Sequence, residues 1–184
     1  MTGKLSSNFL VVTHYGICAT LNGKMVVKAP DWAYVAQITV SREELKRSYT
    51  PNLQGDIPVV VMEFLSDTEG AEYSSKRTYP LGKWFFYEQI LQIPNYIIFQ
   101  PESGDLEVHR LDQSGKYNLR SASDNNRYWL DEMQLFIGVS PGRENRDEAG
   151  NLLLWGSSLA RKGSECCCFE AVRRVRTKIA GCWN

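Results

Sequence analysis

Three ionisable residues have types and surroundings that could support chemistry. Asp31 directly follows Pro30 at the start of a strand-like segment, and Glu63 lies near the end of an apolar run. Lys83 falls in the first turn of a predicted helix, where its charge faces the positive end of the helix dipole. Local rules of this kind are most often broken at functional sites. Two carboxylates at neighbouring strand ends can hold Mg²⁺, and a nearby lysine can neutralise charge on a phosphodiester.

Each of these residues also has an ordinary structural interpretation. A buried glutamate can be an ion-paired or hydrogen-bonded acid, an aspartate after proline often forms a turn, and a helical lysine is often solvated. Considered alone, none of these three residues distinguishes a structural role from a functional one. Taken together, Asp31, Glu63 and Lys83 give the division of labour expected of a metal-dependent nuclease.

The apolar run around Glu63 predicts a central strand that is buried on both faces. Residues 57–65 include three consecutive valines, which pack well on a pleated surface. Because side chains alternate along a strand, Val61 and Glu63 share one face. A second strand-like segment, 96–101, follows a predicted helix over 80–93. The order strand, helix, strand predicts that the two strands are parallel neighbours in one sheet.

Shorter elements are predicted around this unit. An Asn-Gly pair within residues 8–28 predicts a hairpin, and residues 106–111, bounded by tight turns, predict an antiparallel meander at the sheet edge. Ser41 with Glu44 three residues on is a capping-box pattern, which predicts a short helix over 42–48. The expected fold class is α/β: a mixed sheet with parallel central strands, flanking helices and an antiparallel edge meander.

Length and composition fit one ordinary soluble domain. The chain has 184 residues, of which 43% are hydrophobic and 23% charged. No apolar run is long enough to span a bilayer, and the N-terminus lacks a signal-peptide pattern, so we expect a cytoplasmic protein without membrane contact. The composition changes after Gly156. We therefore expect residues 1–156 to form one domain and 157–184 to be a tail whose order the sequence does not decide.

Charge and cysteine content exclude several classes of function. Residues 161–184 carry six Lys or Arg against two Glu, a net charge of +4, so the rest of the neutral chain carries −4. A negative body provides no basic field for nucleic acid, and phosphate contact would need a local patch or a metal. Five cysteines, three of them contiguous, match neither a disulfide framework nor a paired zinc motif. No Gly-rich phosphate loop or Gly-x-Ser-x-Gly elbow is present.

Other candidate residues favour structural roles. His14 and His109 lie on strand-like segments far apart in the sequence, without the spacing of metal ligands. Arg127, Tyr128 and Trp129 could stack on nucleic-acid bases, although such a group is more often an edge of the core.

The chain resembles the Uma-two family of bacterial endonucleases in three segments, APDWAYV, VVVMEFLSDTEG and GKWFFYEQILQIPNYIIFQPESGDLEVHRLDQSGKY. That family belongs to the PD-(D/E)XK, restriction-endonuclease-like superfamily. The resemblance covers about residues 15–156, and its motifs are weak singly but fairly specific in this order. It implies a restriction-endonuclease-like fold, Mg²⁺ or Mn²⁺ as cofactor and DNA as the partner. A homo-oligomer, in the form of a dimer, is a separate expectation that does not depend on the resemblance.

The resemblance also implies roles for individual residues. Asp31 and Glu63 match metal ligands, and the backbone carbonyl of Phe64 would add a third. Position 65 is Leu, where the superfamily usually has its lysine. The lysine has moved to the next helix in this family, and Lys83 matches it as the residue that stabilises the transition state.

Two supporting residues and one departure complete the expectation. Tyr87 lies four residues after Lys83 and either orients the lysine or packs, with packing favoured, and Ser66 is a second supporting candidate. Relatives commonly begin with a helix that bears an extra acid, but residues 1–30 contain no Asp or Glu. Two alternatives therefore stay open. One is a catalytically degenerate nuclease-fold protein that binds nucleic acid or protein, and the other is a structural interaction protein that uses the edge meander.

Overall fold

The computed structural model describes residues 8–65, 70–101, 103–123 and 126–139, together with the backbone of 154–157. Ser66 and the predicted tail beyond residue 157 lie outside the described residues. The expected domain boundary at residue 156 therefore stays a prediction.

Twelve strands form three sheets within the described residues. In chain order they are β1 (Leu10–Val12), β2 (Gly16–Leu21), β3 (Lys24–Lys28), β4 (Trp32–Val35), β5 (Ser48–Tyr49), β6 (Val60–Phe64), β7 (Asn95–Gln100), β8 (Asp105–Leu111), β9 (Tyr117–Leu119), β10 (Arg127–Leu130), β11 (Leu135–Val139) and β12 (Leu154–Ser157). The six-stranded main sheet has the spatial order β1, β4, β6, β7, β8, β9. A second sheet has the order β3, β2, β5, and a third has the order β10, β11, β12.

The main sheet is built around one parallel pair of strands. β6 runs parallel to β7, with Val60 opposite Asn95 and Phe64 opposite Phe99. β4 adds to β6 and β8 adds to β7 in antiparallel directions, and β9 extends the sheet beyond β8. These pairings confirm the predicted mixed α/β sheet with parallel central strands and an antiparallel edge meander.

The helical part of the fold is smaller than predicted. A short helix, α1, spans Lys83–Phe85 and continues into a π-helical segment, Phe86–Ile90, while one 3₁₀ turn covers Ala71–Tyr73. The predicted helix start at Pro80 is wrong, because Gly82 still has extended backbone angles, φ −68° and ψ 152°, and is the N-cap. None of the described helices is long and apolar enough to cross a membrane.

The predicted helix over 42–48 is also wrong. The Ser41 backbone N–H and hydroxyl both donate to the Glu44 carboxylate, at 3.0 and 2.8 Å, so the hydroxyl does not act as a helix cap. The following residues are drawn into strand contacts, because the Arg47 carbonyl accepts the Gly16 N–H at 3.1 Å and β5 pairs with β2. Tertiary pairing therefore overrides the local helix signal, and the segment forms turns.

Two hydrophobic clusters cover the two faces of the main sheet, and β6 contributes to both. The first cluster includes Ile17, Val61 and Tyr87, and the second includes Val60, Met62 and Ile97. Burying each such side chain contributes about 1.5–3 kcal/mol to stability. Glu63 shares the face of Val61, because side chains alternate along a strand, and it therefore points toward the first cluster. The predicted burial of this strand on both faces is confirmed.

Candidate functional site

Asp31 lies beside the end of β6 that carries Glu63. β4 pairs with β6 as far as Trp32 opposite Met62, and Asp31 and Glu63 are the next residues beyond this pair. The negative charge of Asp31 raises the pKa of Glu63, so the two acids interact electrostatically. The Asp31 Oδ2 atom also accepts the Phe64 backbone N–H at 2.7 Å, which fastens the aspartate to the end of β6.

His14 borders the aspartate. Its Nδ1 atom lies 3.3 Å from Asp31 Oδ1, and its side chain is 44% exposed. The His14 backbone donates to the Pro30 carbonyl at 3.1 Å and has a φ of 51°, which is uncommon for a residue other than glycine. We expected a structural role, but the structure brings His14 to the candidate site, because β1 pairs with β4 and the turn after β1 meets the residue before β4. A pairing between distant segments leaves no local sequence signal.

Glu63 is fully buried, and each of its carboxyl oxygens has a donor. Lys83 Nζ lies 3.0 Å from Oε2, and the Tyr87 hydroxyl donates to Oε1 at 3.0 Å. Because Lys83 and Tyr87 are about one helical turn apart, the helical segment presents both to the same carboxyl group. Tyr87 also packs in the first cluster, so it both fills the core and bonds to Glu63.

Burial and charge together set the protonation of this pair. Burial raises the pKa of Glu63 to about 8, while the Lys83 charge lowers that pKa and Asp31 raises it. Burial lowers the pKa of Lys83, but the carboxylates of Glu63 and Glu72 outweigh burial and hold that pKa above its ordinary value. Because these carboxylates outweigh burial, Lys83 keeps its proton near neutral pH. Lys83 is therefore a positive charge in this site rather than a proton acceptor.

Glu72 is a further acid at the site, and no sequence motif points to it. Its side chain is 8% exposed, and its Oε1 atom lies 3.5 Å from Lys83 Nζ. Its Oε2 atom is buried and has no hydrogen-bond partner among the described residues. The Tyr96 hydroxyl donates to the Glu72 backbone carbonyl at 2.8 Å, which holds the 3₁₀ turn in place. The only signal in the sequence is the length of the loop between β6 and the helix, since long loops are often functional.

Lys28 is a second cation in electrostatic contact with the site. It ends β3 on the same side of the strand as Val26, which belongs to the first cluster. Burial lowers the pKa of Lys28, Lys83 lowers it further, and Glu63 opposes both effects. Two lysines from different elements therefore interact electrostatically with Glu63.

The other candidates from the sequence make structural contacts. His109 Nε2 lies 3.0 Å from the Glu107 carboxylate, and the His109 ring contacts Trp84 with centroids 4.8 Å apart. The Tyr128 hydroxyl donates to the Leu106 carbonyl at 3.1 Å. These contacts agree with the structural roles expected for both residues.

Comparison with protein families relates this geometry to a known group. The Uma2 family model, described as "Putative restriction endonuclease", matches residues 12–140, which is well over half of the chain. The chain belongs to the Uma2 family. Membership confirms the resemblance seen in the sequence, and the mixed sheet agrees with the restriction-endonuclease-like fold class at a low helix content. No curated protein matches the chain.

Membership of Uma2 implies a divalent cation, and the donor atoms of the site suit one. Asp31 and Glu63 offer carboxylate oxygens, and the Phe64 carbonyl leaves β6 on the same edge as the N–H that bonds to Asp31. An all-oxygen set fits Mg²⁺ or Mn²⁺ better than zinc. No group of three or more His, Cys, Asp or Glu side chains in the described part of the chain is arranged to hold a metal. A cation here would therefore keep several waters and would have to displace Lys83 from Glu63.

Proposed function

We propose that this Uma2 protein is a Mg²⁺- or Mn²⁺-dependent endonuclease that hydrolyses phosphodiester bonds in DNA. The proposal is supported by two contacts at the end of β6: Asp31 Oδ2 accepts the Phe64 N–H at 2.7 Å, and Lys83 Nζ lies 3.0 Å from Glu63. Two carboxylates can recruit a cation, and a fixed ammonium can offset the negative charge that develops during phosphoryl transfer. Membership of a restriction-endonuclease family supports DNA as the substrate class.

Five residues would serve the metal. Asp31, Glu63 and the Phe64 carbonyl would hold it, and the bound cation would lower the pKa of a coordinated water and stabilise charge on the phosphoryl group. His14 would orient the Asp31 carboxylate through their 3.3 Å contact. Tyr87 would orient Glu63 through its bond to Oε1. Residues that hold a ligand in place in this way raise both its precision and its affinity.

The two lysines would act on the phosphate as charges. Lys83 keeps its proton, so it would donate to a phosphate oxygen and would not abstract a proton from water. Lys28 would add a second positive charge on the side of β3. The chain outside residues 161–184 carries a net charge of −4, so its overall charge would repel DNA. Local lysines such as these would instead attract the DNA phosphates at the site.

Plasmid nicking tests the proposal. The purified protein should nick supercoiled DNA with Mg²⁺ or Mn²⁺ and should not do so in chelator. Glu63→Gln removes a charged ligand at nearly constant volume and should reduce the rate at least about a hundredfold. Glu88→Gln is a matched control, because Glu88 is also buried but its carboxylate pairs with Lys116 at 3.3 Å rather than with Lys83. Full nicking by Glu63→Gln, or by the wild type in chelator, would refute the mechanism.

A second function is favoured by the same contacts. Glu63 is already satisfied by Lys83 and Tyr87, which is what a catalytically degenerate protein that only binds nucleic acid or a partner would retain. Calorimetry with Mn²⁺ separates the two functions. The nuclease should bind a stoichiometric amount of Mn²⁺ and lose that binding in Asp31→Asn, whereas the binding protein should take up none.

A further inference from the structure

The ammonium of Lys83 lies between two buried acids. Lys83 Nζ is 3.0 Å from Glu63 Oε2 and 3.5 Å from Glu72 Oε1. Glu63 is completely buried, and the Glu72 side chain is 8% exposed. In the resting protein Lys83 is therefore closer to Glu63 but already in contact with Glu72.

Glu72 has unused capacity to accept hydrogen bonds at this point. Its Oε1 atom faces Lys83, whereas its buried Oε2 atom has no partner among the described residues. A buried carboxylate oxygen without a donor is costly, so its presence requires an explanation. A lysine ammonium has three N–H donors and could bond to both oxygens of one carboxylate.

The turn that carries Glu72 is fastened to the helix that carries Lys83. Tyr73 and Trp84, which directly follow these two residues, stack with ring centroids 6.3 Å apart and an interplanar angle of 26°. The Tyr96 hydroxyl holds the Glu72 carbonyl at 2.8 Å. The Glu72 turn is therefore held beside the helix, and because Lys83 Nζ lies within 3.5 Å of both acids, a short movement of the Lys83 side chain is enough to transfer its ammonium between them.

A cation at Glu63 would conflict with Lys83 in its resting position. The ammonium donates to Oε2, an atom that would also bind the metal. Two positive charges so close together repel strongly in a buried site. The ammonium must therefore move when the metal arrives. If no acceptor were ready, Lys83 would either compete with the metal or leave the site for solvent.

We propose that Glu72 is a positioning residue that receives Lys83 when Glu63 takes up a divalent cation. The transfer frees Glu63 for the metal, gives Glu72 Oε2 a donor, and keeps the ammonium beside the phosphate. This inference rests on the proposed metal-dependent function and deepens it, because it names the residue that couples metal binding to the position of the lysine.

Calorimetry with Mg²⁺ alone, at one fixed pH, tests the inference in a double-mutant cycle. Glu72→Gln should weaken Mg²⁺ binding about tenfold, because Lys83 then has Glu63 as its remaining acceptor and competes harder for it. Lys83→Met should strengthen Mg²⁺ binding, because the competitor is gone. In the Lys83→Met background, Glu72→Gln should change the affinity less than about twofold, since Glu72 acts through the lysine.

Two results would overturn the inference alone. An equal loss of affinity from Glu72→Gln in the Lys83→Met background would make Glu72 a direct ligand of the metal. Unchanged affinity in Glu72→Gln by itself would remove any role in metal binding. If the wild type binds no Mg²⁺, the proposed function fails and the inference fails with it, which is a distinguishable outcome.

Two further variants control for misfolding of Glu72→Gln and for nonspecific effects of removing a buried acid. Glu72→Asp keeps the charge but withdraws the carboxylate from Lys83, so it should weaken Mg²⁺ binding in the same direction as Glu72→Gln and can replace that variant if it does not fold. Glu88→Gln removes the charge of a different buried glutamate, which pairs with Lys116, while the amide oxygen can still accept the Trp84 and Tyr117 N–H groups, so Mg²⁺ affinity should stay unchanged. A loss of affinity in Glu88→Gln as large as in Glu72→Gln would count against a specific role for Glu72.

Discussion

At the scale of single residues, Glu63 shows how a fully buried acid is accommodated in this sheet. Lys83 and Tyr87 each donate to one of its oxygens at 3.0 Å. The two donors differ in kind, because Lys83 offsets the charge of the carboxyl group and Tyr87 satisfies an oxygen without adding charge. The tyrosine is therefore the contact that can be removed with the least effect on the electrostatics of the site.

Tyr87→Phe should weaken both the fold and the metal site. The substitution leaves Glu63 Oε1 without its donor, which should lower the free energy of unfolding by about 1–3 kcal/mol. It should also raise the pKa of Glu63 further, because a bond that lowers this pKa is lost, so Mg²⁺ binding should weaken at neutral pH. Urea denaturation and calorimetry measure the two effects.

Tyr117→Phe is the matched control for that variant. The Tyr117 hydroxyl is also in the first cluster and donates to the Ile93 carbonyl at 2.9 Å. Its removal should lower stability by a similar amount and leave Mg²⁺ affinity unchanged. Equal effects of both variants on Mg²⁺ affinity would show that general loosening of the core, and not the bond to Glu63, is responsible.

At the scale of elements, the site depends on the close approach of a loop to the start of α1. A Cβ atom on Gly82 would lie 1.9 Å from the Ser74 carbonyl oxygen, so no larger residue fits without movement. The φ of Gly82 is −68°, which any residue can adopt. Glycine is therefore required here for space and not for backbone conformation, at a point where the residue after the Glu72 turn approaches the residue before Lys83.

Gly82→Ala should separate the 3₁₀ turn from α1. We expect a loss of about 1–3 kcal/mol in stability from the added methyl group, and a weakening of Mg²⁺ binding in the direction of Glu72→Gln. Gly23→Ala provides the comparison, because a Cβ there meets nothing within 4 Å while its φ of 75° still favours glycine. That control should cost about 1 kcal/mol in thermal or urea unfolding and leave Mg²⁺ affinity unchanged.

The elements also show what could be predicted from the sequence. The Asn22-Gly23 turn, with φ values of 49° and 75°, and the parallel strands depend on strong local patterns, and both were predictable. No local pattern excludes a helix over 42–48. What prevents the helix is strand pairing with residues that are distant in the sequence, and such pairing leaves no local signal. At the site, the family resemblance identified Asp31, Glu63 and Lys83. His14 and Glu72 are brought to the site by strand pairing and loop packing, which no spacing of residues in the sequence predicts.

At the scale of the whole molecule, the buried acid couples folding to pH. Burial raises the pKa of Glu63 in the folded protein from its usual 4.5 to about 8. A group whose pKa is raised by folding stabilises the fold fully below its unfolded pKa, and this contribution is lost as the pH rises through the folded value. Without metal, Glu63 should therefore make the protein less stable across the range from pH 4.5 to about 8.

Thermal unfolding as a function of pH checks this coupling. In chelator, the Tm of the wild type should fall across that range, and the Tm of Glu63→Gln should fall less, because glutamine has no proton to lose. Mg²⁺ should raise the Tm most at the alkaline end, since it binds the ionised carboxylate. If the two proteins gave parallel profiles in chelator, another group would have to be the source of the pH dependence.

Lys83 reaches Glu63 from α1 and not from the strand that carries Glu63, and this affects how proteins of this kind can be recognised from sequence or structure. Position 65, two residues beyond Glu63, is a leucine that packs against the first cluster, and the ammonium beside Glu63 comes from α1 instead. The ammonium can therefore occupy the same position beside the acid while the lysine that carries it lies at a different position in the sequence. A search that demands a lysine at a set interval after the acid would discard this protein, whereas a search for any ammonium nitrogen beside a buried carboxyl group would retain it.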